Sequence, residues 1–221
     1  MRLFRFSYSP YARKIEALLE LMGQPVTLVE VPYVDRSELL ALTGGYMHVP
    51  VLEDDDGSVV VESRAIAERL IARPAGAKLV PSPWEGPIWA YCDWVDGPLE
   101  DVLFRLASPA VRDAWPTLAE RAFYTLIKER KFGAGAVDSW ARSRDELLAR
   151  GRALLAPTAR TLGASPFLFG ERPTLADAAL YGQFAMLGAD AKLTPAHFGD
   201  VFPGWLARLA DARGMAKSSR A

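Results

Sequence analysis

Cysteine and histidine are nearly missing from this 221-residue chain, which has one of the first and two of the second. A lone thiol, Cys92, excludes an intrachain disulfide framework, a Cys-x-x-Cys redox pair and a cysteine-based zinc site. Its expected place is a packed interior, as a small apolar residue. His48 and His197 are too few for a histidine-rich centre, and no metal is expected. Charge of one sign is also missing: 26 Lys and Arg stand against 27 Asp and Glu, a net charge of −1. A nucleic-acid binder shows a basic excess or stripe, so no nucleic-acid partner is expected. The mildly basic end, RGMAKSSRA, reads as a frayed, solvated tail. No apolar run approaches the ~18 residues of a membrane span. The opening MRLFRFSYSP has neither the apolar core nor the cleavage site of a secretory signal. No membrane partner is expected, and the reducing cytoplasm is the expected compartment.

What is present is globular composition, 50% hydrophobic and 24% charged, with length for one large domain or two small ones. The first third alternates in character. RLFRF reads as a strand; Ile15, Leu18, Leu19 and Met22 then recur at helical spacing until Gly23. TLVEV is a second strand and RSELLALT a short helix. VPVLE and SVVVE flank the acidic turn DDDG, where Asp-Gly favours a tight hairpin. SRAIAERLIAR is a third helix. The order β-α-β-α-β-β-α predicts a mixed sheet: a parallel βαβ pair followed by a hairpin. Pro74 to Pro87 carries four prolines and two glycines and reads as a linker. Beyond it the spacing is helical throughout. Gly97-Pro98 predicts a kink or break between IWAYCDWV and LEDVLFRLA. TLAERAFYTLIKERKFG and VDSWARSRDELLARGRALLAPTARTLG predict two helices. TLADAALYGQFAMLG, apolar nearly all round, predicts a buried one, and FPGWLARLADARG closes the chain. The division is an α/β domain over 1–75, a linker over 76–86 and an all-helical domain over 87–221.

Four constellations can carry chemistry or mere capping. In Ser9-Pro10, serine is a favoured N-cap and proline a favoured first helical residue. The same position offers more, because a helix N-terminus has free N–H groups and partial positive charge that stabilise a thiolate or another anion. No histidine lies nearby in sequence, so Ser9 suits a hydrogen-bond donor better than an activated nucleophile. Val49-Pro50 precedes a strand, with the proline either in a trans loop or as a cis bond that turns the Val49 backbone outward. Ser63 precedes an apolar-periodic helix as an N-cap; alternatively it marks a second anion-binding terminus, with Glu62 receiving a ligand ammonium. Thr174 and Asp177 have capping-box spacing and read as structural.

Taken together, SPYARKIEALLELMG, VPVLEDDDGSVVVESRAIAERL and FLFGERPTLADAALYG resemble, over nearly the whole chain, a cytosolic glutathione transferase of the bacterial, serine-type group. The resemblance implies a thioredoxin-like domain followed by a C-terminal helical bundle, and a detoxifying enzyme that activates the glutathione thiol for attack on a small, apolar electrophile. By motif match, Val49 pairs through its backbone with the cysteinyl part of glutathione, Pro50 is cis, and Glu62 and Ser63 hold the γ-glutamyl ammonium and carboxylate. Ser9 falls at the catalytic position and Tyr8 is the reserve, since tyrosine-type members use a phenol. His48 stands where many members have lysine and either touches the glycyl carboxylate or faces solvent. The acceptor pocket is expected between the domains, lined by Tyr11, Trp89 and Trp94, although core packing would also use these aromatics. A homodimer is implied. With serine instead of cysteine at position 9, exchange through an enzyme mixed disulfide is disfavoured. The alternatives are glutathione-dependent peroxide or disulfide reduction, and a non-catalytic ligand-binding or regulatory protein on the same fold.

Overall fold

The structure is a computed structural model that describes residues 1–218, with side chains up to position 214. Strand β1 (Arg2–Arg5) runs parallel to β2 (Thr27–Glu30) and antiparallel to β3 (Val51–Glu53), which pairs with β4 (Val59–Val61). The order β2-β1-β3-β4 makes one mixed four-stranded sheet. A parallel pair needs a crossover, and α1 (Pro10–Leu21) supplies it, burying Ile15, Leu18 and Leu19. The helix α2 (Ser37–Thr43) stops at Gly44, whose left-handed φ of 68° an L side chain rarely adopts. The acidic turn closes the β3–β4 hairpin as expected: the Asp54 N–H donates to the Ser58 carbonyl at 2.8 Å. Helix α3 (Ser63–Ile71) follows. This is the thioredoxin-like arrangement implied by the resemblance, and the rest of the described chain is helical.

The proline-rich stretch is more ordered than a linker composition predicts. It holds a helical turn, α4 (Pro74–Ala77), and a 3₁₀ turn at Ser82–Trp84. Leu79 is buried and its carbonyl accepts from the Leu175 N–H at 3.0 Å, so this segment is bonded to the helical region. Gly97-Pro98 does not break the chain. Helices α5 (Glu85–Trp94) and α6 (Glu100–Ala114) run on through a single π turn, Val95–Leu99, which absorbs Pro98. Helix α7 (Leu118–Phe132) opens on a Thr117–Glu120 capping box.

The expected helix over VDSWARSRDELLARGRALLAPTARTLG is two helices, α8 (Ala136–Arg142) and α9 (Arg144–Ala164), parted at Ser143. Helix α10 (Leu175–Leu187) is buried on nearly every side, as its composition predicts. The tail also differs from expectation. Helix α11 (Val201–Ser218) extends through most of it, because the Arg213 guanidinium pairs with Glu20 and lies 4.1 Å above the Tyr181 ring. The last three residues lie outside the described ones. The apolar interior is continuous from the sheet to the helices, and α1 against α10 is its central seam.

Candidate active site

Ser9 is the N-cap of α1. Its hydroxyl oxygen accepts from the Ala12 N–H at 3.3 Å, and its own N–H donates to the Phe6 carbonyl at 2.9 Å. A hydroxyl has one hydrogen to give and two lone pairs to receive. Capping uses a lone pair and leaves the hydrogen without an acceptor among the described residues. Tyr8 differs. Burial pushes its phenol well above the usual value, and the Tyr33 and Tyr124 phenols add to the rise. The phenol of Tyr11 donates to the Asp96 carbonyl at 3.2 Å, and burial raises its pKa too.

Residues 46–50 come back beside α3. The Val49–Pro50 bond is cis. Pro50 is buried, Val49 half-buried and His48 exposed. His48 packs its ring edge-on to Tyr46, with centres 5.5 Å apart. Tyr46, which sequence reasoning passed over, donates its phenolic hydrogen to a Glu62 carboxylate oxygen at 2.8 Å. Only tertiary structure brings these two together. Glu62 has φ 71° and is the one non-glycine residue at positive φ among the described residues. It occupies the N-cap position, and the buried Ser63 is the first helical residue rather than the cap, which corrects the capping expectation. The first-turn N–H groups of α3, the Ser63 hydroxyl and the Glu62 carboxylate form a donor and acceptor set of the kind a zwitterionic amino-acid head requires. That chemistry fits the γ-glutamyl end of glutathione.

Tyr11, Trp89 and Trp94, expected to line the acceptor pocket, do not line the cleft that opens at Tyr8. Trp89 lies under the Arg64 guanidinium at 3.8 Å, beside α3. Trp94 packs on Tyr91, which is hydrogen-bonded to Thr158 on α9 at 3.0 Å. A cleft of about 410 Å³ opens instead at Tyr8, walled by Ser7, Val111, Trp115, Ala185 and Ala189. The helical path explains the difference. Trp94 and Trp115 sit at opposite ends of α6 and its π turn, so they are separated by about 30 Å at 1.5 Å per residue. The far end, at Trp115, is the one that meets the loop after β1. There the Trp115 ring lies 4.5 Å from that of Tyr33 and 5.7 Å from that of Tyr8. A tryptophan before Pro116 was the only sequence signal for this wall. Cys92 is buried as expected, and burial pushes its thiol up to about 12, so it stays protonated.

Residues 3–78 match the profile of the glutathione S-transferase N-terminal domain. In that N-terminal domain the chain is similar to the glutathione S-transferases. A glutathione S-transferase of Arabidopsis thaliana is 32% identical over 88 residues, 38% of this chain and 40% of that relative. The match therefore spans well under half of the relative's length. Solved structures align along nearly the whole chain. A glutathione S-transferase of Ceriporiopsis subvermispora in complex with glutathione has a TM-score of 0.79 at 18% identity, covering 96% of both chains. A glutathione transferase of Phanerochaete chrysosporium gives 0.77 at 17% identity, covering 97% of this chain and 96% of its own. Glutaredoxin 2 of Salmonella typhimurium in complex with glutathione gives 0.72 at 19%, covering 99% and 97%. At these identities the likeness is one of fold. Among the described residues no helix is long and apolar enough to cross a membrane.

Proposed function

We propose that this chain is a serine-type glutathione transferase that conjugates a small electrophile. The observation that carries the reading is the Ser9 hydroxyl, which caps α1 through its oxygen and keeps its hydrogen to donate. A free thiol has a pKa of about 8.5 and is mostly protonated at neutral pH. A hydrogen bond from Ser9, added to the positive end of α1, favours the thiolate over the thiol, and each unit of lowering corresponds to about 1.4 kcal/mol. Tyr8 is the weaker candidate because its ring is packed among those of Phe6, Trp115 and Tyr124, away from a helix N-cap. Glu62 and Ser63 receive the ammonium and carboxylate of the γ-glutamyl end, Val49 offers its backbone to the cysteinyl part, and His48 stands near enough in sequence to meet the glycyl end. The Tyr8–Trp115 cleft takes the electrophile. The new bond forms between sulfur and the electrophilic carbon, the leaving group departs with its electron pair, and the thiol proton passes to solvent. The protein itself stays unmodified. The family reading carries with it a homodimer, a cytoplasmic location and a role in detoxification.

The fold likeness to glutaredoxin 2 keeps glutathione-dependent reduction as the second reading. Serine at position 9 weighs against its usual protein-thiol route. The test begins with calorimetric titration of glutathione into wild type and Ser63→Ala, followed by electrophile and peroxide panels on wild type and Ser9→Ala. No binding by wild type at millimolar glutathione sinks the proposal. Binding without turnover favours a carrier, and turnover of peroxide alone favours the reductase.

A further inference from the structure

Helix α7 is apolar on both its inner and its outer side. The inner side is anchored: Tyr124 is fully buried, shares a hydrogen bond of 2.6 Å with Ser108 and holds its ring 5.8 Å from that of Tyr33. The outer side faces water. Leu118 is 75% exposed, Leu126 62% and Phe123 36%, and Ala119 and Ala122 between them are exposed too. At about 100° per residue these five positions fall within an arc of about 140°, turned away from Tyr124. The outward face of a helix is ordinarily polar. The other exposed large apolar residues, Leu28, Val34, Met47 and Trp84, stand at four separate places in the chain, and single ones are ordinary. Three on one helical face call for a cover.

The charges around this face are set end against end. A groove of about 510 Å³ beside it is walled by Arg112 and Asp113 from the end of α6 and by Arg121 and Glu129 of α7, two of each sign. The N-terminal end is acidic, with Asp113 just before the turn into α7 and Glu120 in the first turn. The Asp113 side chain is 64% exposed and pairs only with the neighbouring Arg112 among the described residues. The C-terminal end is basic, with Arg130 and Lys131 in the last turn. Arg130 is exposed, and its side chain has no hydrogen bond or ion pair among the described residues. An apolar helix face with one acidic and one basic end is its own complement when laid antiparallel on a copy of itself. The two helix dipoles then oppose as well. Ala119 and Ala122 are small and central, which lets two such helices approach to about 8–10 Å. A lipid surface would meet the carboxylates as well as the cations, so it suits the pattern less.

We propose that the outer face of α7 docks on the same face of a second copy of this chain, antiparallel across a twofold axis at Ala122. Leu118 then lies over the second copy's Leu126, Ala122 over Ala122, and Asp113 comes toward the second copy's Arg130. The interface gives a homodimer a surface built from this chain's own residues, and it does not rest on the transferase reading. It also bears on the cleft. The inner side of α7 carries Tyr124, whose ring stands 6.2 Å from that of Tyr8, so a copy docked outside holds this aromatic wall in place.

Sedimentation equilibrium measures the dissociation constant of the dimer for wild type, Leu126→Glu, Arg130→Glu, Asp113→Lys and the double variant Arg130→Glu/Asp113→Lys. Wild type is expected to dimerise. Leu126→Glu weakens the dimer at least about tenfold. Its urea midpoint stays near that of wild type, because the replaced side chain already faces water. Each charge reversal weakens the dimer, and the double variant restores it. Reversal at both ends of one chain rebuilds the pair only where the partner is a copy of that chain. Ala122→Cys reads the register. The two new thiols meet at the axis, and an added mild oxidant takes two electrons and two protons from them to leave a linked dimer. Cys92 is buried, so wild type stays unlinked. A wild type that is monomeric at every concentration tested overturns the proposal. So does a dimer indifferent to Leu126→Glu, which is joined through another face, and so does a double variant that does not recover. Flotation of wild type with phosphatidylglycerol vesicles, abolished by Leu126→Glu and without self-association, gives the face to a membrane surface and removes the second copy.

Discussion

Gly182 on α10 lies so close to the start of α1 that a Cβ there would stand 2.2 Å from the Pro10 carbonyl oxygen and 3.2 Å from the Lys14 nitrogen. The obstacle is backbone, which cannot turn aside as a side chain can. One glycine therefore sets how near the helical region comes to the helix that begins at Ser9. Gly182→Ala is expected to cost about 1–3 kcal/mol of stability as overpacking. It should also weaken glutathione binding, because α1 must move and Ser9 sits at its first turn. Urea unfolding and calorimetry measure the two effects. An alanine variant with unchanged midpoint and unchanged affinity would show that the seam yields freely.

Ser9 and Tyr8 make separable predictions. Ser9→Ala loses the cap, worth about 0.5–2 kcal/mol, and loses the donor to sulfur. Removing one such donor from a reacting anion typically lowers kcat about 10²–10³-fold. The rate–pH profile should move with it. A thiol held below its free value gives a rate that rises at lower pH, and Ser9→Ala shifts that rise up toward about 8.5. Tyr8→Phe keeps the ring packed on Phe6 and Trp115 and should leave the profile in place. Steady-state rates across pH for both variants decide between them. A shifted profile in Tyr8→Phe with none in Ser9→Ala moves the role to the phenol.

The sequence made local features legible and left tertiary ones hidden. Strand and helix order, the Asp-Gly hairpin and the Thr174–Asp177 box all depend on neighbours a few residues apart. Asp177 does accept from the Thr174 N–H at 2.9 Å, as its spacing predicts. It also accepts from Leu168 at 3.1 Å and the Trp205 indole at 3.0 Å, which no spacing could reveal. Tyr46 on Glu62 and Trp115 on Tyr33 are of the same kind. Trp89 and Trp94 lie away from the cleft at Tyr8 for a geometric reason. Helical spacing tells which face an aromatic occupies, but not which end of a long helix reaches the other domain. Gly97-Pro98 signalled irregularity correctly, but proline chemistry alone could not choose between a break and a π turn.

Acid should loosen the hairpin end of the sheet through Asp54. Its carboxylate accepts from Arg69 at 2.9 Å and from the Asp55 N–H at 2.8 Å, and it pairs with Arg73. Burial pushes its pKa up, but the Arg69 and Asp55 hydrogen bonds and the two guanidinium charges outweigh that and hold it below the usual value. A depressed carboxyl contributes stability above its unfolded value of about 3.9 and loses it as pH falls through the folded value. Wild type should therefore lose stability below about pH 4, and Asp54→Asn should start lower at neutral pH and show a shallower acid decline. Urea midpoints between about pH 7 and about pH 3 measure both slopes. Parallel slopes would remove Asp54 from the account.

Glu62 offers the sharpest separation of binding from folding. Its φ of 71° is strained for a side-chain-bearing residue, by about 1–3 kcal/mol on the usual scale for sparsely populated backbone, while glycine adopts positive φ freely. Its carboxylate is exposed and accepts only from Tyr46 among the described residues, so little packing is lost when it is removed. Glu62→Gly should therefore unfold at the same denaturant concentration as wild type or a higher one. If Glu62 receives the γ-glutamyl ammonium, the same variant should bind glutathione at least about tenfold more weakly, the scale of one lost charge-assisted hydrogen bond. Tyr46→Phe, which keeps the carboxylate but removes its orienting donor, should fall between the two. Strain held at a position that glycine would relax marks a residue kept for its side chain rather than its backbone. A glycine variant that is more stable and binds glutathione as wild type does would leave that strain without a ligand to account for it.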